Sequence, residues 1–269
     1  FLAGLISYGS VTLMIYLFFN LFWGLNYNRL GIATQLELEV RERPVEELKR
    51  LVDELLEQTN RYSQPVHWKE KMGNEELYSG AVLAYKQIST TYDFLQYSPR
   101  SVKTSIFGVA GNYIGYTGYF NPFTSEAQIN DQVPVAVQPF VACHEIAHQL
   151  GYAKENEANF VGFLAAISSP DTAFRYSAYF EMFLYANREL FVRDSATARN
   201  NYALLSPEAK ADLEALRAFR IRYENPLDKA VDLFYDRYLR LNQQPAGTRT
   251  YSRVVEWLLA WNEKVKSKK

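Results

Sequence analysis

The chain opens on a run in which apolar positions do not alternate with charged ones at all. From Phe1 to Asn28 no side chain is charged, and Arg29 carries the first charge. The stretch FLAGLISYGSVTLMIYLFFNLFWGL exceeds the roughly 20 apolar residues that a bilayer core requires. Trp23 and Tyr27 stand at its end, where amphipathic rings favour the headgroup layer. The pattern predicts a transmembrane helix over 1–28, with one globular domain over 29–269. A cleaved signal peptide is the main competing reading, and Gly31-Ile32-Ala33 offers it a small-x-small site. The run is too long for that, and no basic segment precedes it. A buried core helix is the third reading, which Ser7, Ser10, Thr12 and Asn20 would suit. A chain that opens on such a run is expected to be preceded by further membrane segments.

Beyond Arg29 the pattern turns amphipathic. Pro44-Val45-Glu46-Glu47 opens a helix, with Leu48, Leu51, Val52 and Leu55 on one face. Glu75 to Leu95 reads as a second helix. Ser105 to Val137 contains Gly108, Gly111, Gly115 and Gly118 among Tyr, Phe and Ile, which predicts short strands and turns. From Gln138 the pattern is helical again. Ser206-Pro207-Glu208 and Asn225-Pro226 are helix starts, and Gln243 to Gly247 is a loop before a last helix. The expected fold is mainly α with a small β-sheet, an α+β arrangement.

Composition narrows the function classes. With 48% hydrophobic and 22% charged residues the chain can bury a core. A net charge of −1 gives no electrostatic footprint for nucleic acid. The single cysteine, Cys143, excludes an internal disulfide and reads as a small core residue. His67 reads as a surface or packing residue.

The chemistry concentrates at Val141-Ala142-Cys143-His144-Glu145-Ile146-Ala147-His148-Gln149-Leu150-Gly151. Pro139 suits the first turn of a helix and Gly151 its end. Histidines at i and i+4 share one face, so both imidazoles can reach one Zn2+. Glu145 follows the first of them and can accept a proton from a zinc-bound water. The pattern arises by chance in roughly one chain in a hundred of this length, so the next helix must supply support. A catalytic zinc takes a third protein ligand. The metzincin pattern requires His at 154, where this chain has Lys154. Gluzincins take a Glu from the following helix, and Lys154-Glu155-Asn156-Glu157-Ala158-Asn159-Phe160 offers two. Glu157 lies on an apolar stripe with Ala153, Phe160 and Leu164, where a buried carboxylate needs a partner such as a metal. Glu155 faces another way, with Asn159, Gly162 and Ala166. Glu157 is the expected ligand and Glu155 the alternative.

Four segments carry a family resemblance: Trp23-Gly24-Leu25-Asn26-Tyr27, Gly118-Tyr119-Phe120-Asn121-Pro122-Phe123-Thr124, the run from His144 to Phe160, and Tyr176-Ser177-Ala178-Tyr179. The chain resembles a bacterial membrane family, domain of unknown function 3810, which falls among gluzincin-like zinc peptidases. The resemblance implies a zincin-like fold, a zinc site, earlier membrane spans, and a globular domain outside the cytoplasm, anchored in the bacterial inner membrane. Arg29, Arg41 and Arg43 close behind the apolar run would favour the cytoplasmic side instead. One departure stands out. Many gluzincins place an Asp four residues after the ligand Glu, and four residues after Glu157 is Val161.

Peptide hydrolysis also needs a donor for the oxyanion. Tyr176 and Tyr179 are the expected donors, with Arg175 a further candidate and aromatic packing the plainer reading of either ring. The segment Tyr119 to Asn130 offers an edge on which an extended peptide could pair. The expected function is a membrane-anchored zinc metallopeptidase acting on a peptide or protein. The alternatives are a zinc amidase on a non-peptide amide and a non-catalytic membrane-anchored module. Removing Phe1 to Tyr27 is expected to leave a soluble, folded domain.

Overall fold

The computed structural model describes residues 2–64, 72–98, 101–226 and 250–267, with 233 and 237. The expectations for His67, for a helix after Pro226 and for a loop over 243–247 lie outside the described residues.

The uncharged run forms one helix, α1 (Leu2–Phe22), followed by a 3-10 turn over Gly24–Asn28. Among the described residues no helix is long and apolar enough to cross a membrane, so the fold does not establish the expected span. Polar residues interrupt α1. Two of them, Thr12 and Asn20, turn their side chains back onto the Tyr8 and Tyr16 carbonyls. The expected domain boundary at 28 also divides packed residues. Trp23 and Tyr27 are buried with Ala153, and Phe19 and Phe120 pack against them.

A short helix, α2 (Ile32–Gln35), leads to α3 (Val45–Ser63), whose apolar face buries Leu48, Leu51, Val52, Leu55 and Leu56. Next comes α4 (Asn74–Ile88), which ends earlier than the pattern predicts. Ser89-Thr90-Thr91 are poor helix formers, and their amides close turns back onto Tyr85, Gln87 and Ile88.

Three four-residue strands follow: β1 (Ser101–Thr104), β2 (Gly118–Asn121) and β3 (Glu126–Ile129). The sheet order is β1-β3-β2, so β2 is an edge strand. β1 runs parallel to β3 and β2 antiparallel to it, with Gly118 opposite Ile129 and Phe120 opposite Ala127. Between β1 and β2 the glycine-rich segment forms a helix, α5 (Gly108–Ile114), where strands were expected. A Cβ on Gly108 would meet the Asn130 side chain at 2.8 Å, and one on Gly111 would meet the Tyr116 ring at 2.5 Å. These glycines let a short helix approach its neighbours, and Gly115 ends it at φ +81°.

The remaining helices are α6 (Gln138–Gln149), α7 (Glu155–Ser168), α8 (Thr172–Arg193), α9 (Ser195–Ala203), α10 (Pro207–Tyr223) and α11 (Thr250–Lys266). Ser206 caps α10 as its sequence predicts, accepting from the Ala209 amide at 3.1 Å. α6 and α7 lie at the centre of the core, buried along nearly their whole lengths. Gln149 ties the end of α6 to the sheet, donating to the carbonyls of Ser101 and Ser125 at 2.9 and 2.8 Å. The fold is mainly helical with one small mixed sheet, as the pattern predicts.

Candidate metal centre

The i, i+4 spacing on α6 sets His144 and His148 side by side, with ring centroids 4.8 Å apart and planes at 90°. Cys143 points into the core and is fully buried. The Nδ1 of His148 lies 2.7 Å from the Tyr152 carbonyl. A carbonyl only accepts, so Nδ1 carries the proton and Nε2 presents its lone pair to the cluster. Burial holds the His148 pKa down at about 4, against the opposing pull of Glu155.

The carboxylate that meets this pair is Glu155, the first residue of α7. Its Oε2 is 3.4 Å from Nε2 of His144, and its Oε1 is 3.8 Å from Nε2 of His148. One ligand atom from each of the three residues lies within 4.8 Å of the others. Glu157, the ligand expected from the sequence, is elsewhere. Its carboxylate accepts from the Ile32 amide and is flanked by Lys154 and Arg29. Oε1 lies 2.6 Å from where a Cβ on Gly31 would stand. The buried stripe was real, but its carboxylate found a backbone N–H and two cations at the start of α2.

The contact between α6 and α7 explains the choice. A Cβ on Gly162 would lie 3.0 Å from both Cα and N of His144, so the helices touch there backbone to backbone. Glu155, Asn159, Gly162 and Ala166 fall on the same stripe of α7, and that stripe faces the histidines. Gly162→Ala should therefore push α7 off the His144 backbone. We expect a loss of about 1–3 kcal/mol in unfolding stability, typical of overpacking, together with weaker binding of any zinc that the cluster holds. Denaturant melts and zinc titrations of the variant check this, and an unchanged zinc affinity would refute the link between helix contact and site.

Asn159 reaches His144 from one turn along α7. Burial lowers the His144 pKa, but the hydrogen bond to Glu155, the nearby carboxylates and Asn159 outweigh it and leave the value raised. Nδ1 of His144 and Nδ2 of Asn159 are both buried with no hydrogen-bond partner among the described residues.

Glu145 is buried on α6 between the cluster and the sheet. Its Oε1 and Cγ lie 2.7 and 2.8 Å from where a Cβ on Gly118 would stand, so β2 passes this carboxylate at the one residue with no side chain. Oε2 has no hydrogen-bond partner among the described residues. Burial pushes the carboxyl up to about 8, with His144 pulling it down and Glu155 raising it further.

The expected oxyanion donors are not gathered at the cluster. The Tyr176 hydroxyl donates to Asp212 on α10 at 2.6 Å. Tyr179 stacks on Tyr62 of α3 at 5.7 Å and meets Phe163 edge-on. The Arg175 Nε donates to the Ser169 carbonyl at 2.6 Å. These residues lie on the faces of α8 turned to α10, α3 and the α7–α8 turn. The face turned to α6 carries Ser177, which accepts from the Phe140 amide at 3.0 Å. One turn further on lies Glu181, which the sequence reading missed. Burial raises its carboxyl to about 7, while Arg220 and His144 draw it down. A single acid within the apolar run Tyr179-Phe180-Glu181-Met182-Phe183 was the available signal.

With this geometry in hand, the profile of the DUF3810 family, described as protein of unknown function, matches residues 1–259. The chain belongs to that family. The match spans the apolar helix and the histidine pair alike. No curated protein matches the chain, and no solved structure does.

Proposed function

We propose that the chain is a zinc-dependent peptidase of the gluzincin kind, with His144, His148 and Glu155 as metal ligands and Glu145 as general base. The observation that carries this reading is the convergence of two imidazole nitrogens and one carboxylate, 3.4 and 3.8 Å apart, beside a second buried carboxylate. Tetrahedral ligands at 2.0–2.1 Å from zinc stand about 3.3 Å from one another, so the donor set fits. Glu145 supports it too, because a cation at the cluster would favour the ionised form of a carboxyl that burial otherwise keeps protonated. With Glu155 as ligand, the residue four positions on is Asn159, so a polar partner for His144 stands where the gluzincin pattern has Asp.

Zinc held there would lower the pKa of its bound water to about 7 and draw charge from the substrate carbonyl. Glu145 takes the proton from the attacking water as the water oxygen bonds to the carbonyl carbon. It then delivers that proton to the amide nitrogen as the C–N bond breaks, giving a carboxylic acid and an amine, between which the acid's proton passes to leave a carboxylate and an ammonium. Burial keeps His148 neutral, its bond to the Tyr152 carbonyl fixes which ring nitrogen carries the proton, and Asn159 fixes His144. Purified protein, stripped by chelator and reloaded, should hold about one zinc per chain. His144→Ala or His148→Ala should abolish binding. A crystal grown with zinc in which both imidazoles bond elsewhere would overturn the reading.

The same reading places α1 in the bacterial inner membrane, with the domain outside the cytoplasm. Ile6, Val11, Leu13, Met14, Ile15 and Leu21 are all more than half exposed, on every side of the helix. A helix apolar all round requires an apolar environment, and the back-bonded Thr12 and Asn20 suit lipid. The arginines that would favour the cytoplasmic side are engaged within the domain. Arg29 donates to the Leu150 carbonyl, and Arg41 and Arg43 pair with Glu263. Removing residues 1–17 should release a folded protein from membranes. Removing 1–27 also takes Trp23 and Tyr27 out of the core, and should cost several kcal/mol, since truncating a buried Trp alone costs ~3–5. Fractionation with thermal melts checks both cuts, and added protease on spheroplasts checks the side. A 1–17 deletion that stays in the membrane fraction would count against the anchor.

A further inference from the structure

The foot of α1 is built into the candidate site. Trp23, one residue beyond the end of α1, has its ring 5.7 Å from the His148 imidazole, edge to face. The same indole lies 4.7 Å from the ring of Phe120 on β2. Phe22, the last residue of α1, meets Phe123 just past β2 at 6.4 Å. The apolar helix and the metal ligands thus share a wall.

β2 joins the two ends of this arrangement. Side chains of alternate residues point to the same face of a strand. Gly118 lies against Glu145 and Phe120 lies against Trp23, so this face of β2 leads from the proposed base to the foot of α1. Among the described residues β2 pairs only with β3, and its four residues are half-buried, neither covered nor free. An extended chain added to that edge, by the backbone pairing that edge strands invite, would have its reacting carbonyl near Glu145. Its neighbouring residues would lie against Phe120, Phe123 and Trp23. Four strand residues span about 13 Å, so the reacting bond sits within that distance of the helix foot.

We propose that the substrate is extended polypeptide tethered in the same bilayer as α1, with apolar residues flanking a cleavage site within about four residues of the lipid surface. This inference rests on the peptidase and membrane-anchor readings and adds to them where the substrate must be. A soluble peptide meets the site without help. A chain emerging from the bilayer beside α1 is delivered to β2 at high local concentration, an effect that commonly reaches ~10²–10⁴-fold.

The test uses the full chain loaded with zinc in vesicles of phosphatidylethanolamine and phosphatidylglycerol. Three substrates carry the same randomised eight-residue segment. One is free in solution, one is joined to an apolar transmembrane helix directly, and one is joined to that helix through a 20-residue Gly/Ser spacer. Cut positions are mapped by mass spectrometry. The expected result is cleavage of the directly joined segment at least ~100-fold faster than the free one. The spacer substrate should be cut at least ~10-fold more slowly than the direct one, because its long flexible linker dilutes the segment away from the lipid surface. Equal rates for the free or spaced substrate would overturn the inference and leave the peptidase reading standing. Bound zinc with no cleavage of any of the three would overturn both.

Discussion

Glu155→Gln should cost at least about 100-fold in zinc affinity, whereas Glu157→Gln should leave that affinity within a few-fold. The first figure is a lower bound, since even residues that only orient metal ligands cost ~10–100-fold when altered. Glu155 faces Nε2 of both histidines at 3.4 and 3.8 Å, and it supplies the only negative charge among the three proposed ligands. A neutral amide in its place keeps the shape and loses that charge. Glu157 is two residues along the same helix and about 200° round it. Its carboxylate is bound to the Ile32 amide, not to the cluster. Replacing it should register in unfolding stability, because it tethers α7 to the segment after Trp23. Competition with a chromophoric chelator separates the two variants, and denaturant melts read the stability change. If Glu157→Gln lost metal while Glu155→Gln kept it, the assignment of the third ligand would be wrong.

The difference between these two acids shows where the sequence carried the site and where it did not. α6 was legible because its cues are local. Pro139 stands in its first turn, Gly151 lies just past its end at φ +90°, and the histidine spacing fixes their shared face. Which carboxylate meets the histidine pair depends on which face of α7 turns toward α6. Burial could not decide that, since α7 is buried on all sides from Asn156 to Ala166. The deciding cue was residue size. Gly162 and Ala166 lie seven and eleven residues after Glu155, and small residues mark the line along which two helix backbones touch. An apolar stripe with Glu157 in it was equally visible, but the partner of that acid lies 125 residues earlier, in a segment no spacing rule connects to it. The same limit applies to α5, whose glycines read as turns because their partners, Asn130 and Tyr116, are tertiary contacts. It applies again to Tyr176 and Tyr179, whose directions follow from the placement of α3 and α10. The helices that carry Glu157, Tyr176 and Tyr179 were readable from local pattern and their neighbours were not, whereas for α5 the helix itself was missed.

Glu145→Gln should leave zinc bound and the fold intact while lowering turnover by ~10²–10⁴-fold, the usual contribution of a general base. The side chain makes no contact with either Nε2 in the way Glu155 does, and it faces β2 instead, where Gly118 leaves room for it. Its Oε2 has no hydrogen-bond partner among the described residues. An isolated buried carboxylate of this kind is costly, and burial, with His144 opposing and Glu155 adding to it, raises its pKa to about 8. A purely structural role would have given that oxygen a donor. A glutamine has nearly the same volume and cannot take up the water's proton, so it should fold at least as well as the wild type. The prediction therefore has opposite signs in two measurements. Thermal stability without metal should hold or rise, and turnover should collapse on whatever substrate the wild type cleaves. The contrast with Glu155→Gln is internal to the site, since one variant loses metal and the other keeps it. Should Glu145→Gln turn over at the wild-type rate with zinc in place, the proton must move through another group. Glu181, one turn beyond the Ser177 contact on α8, would then be the residue to change next.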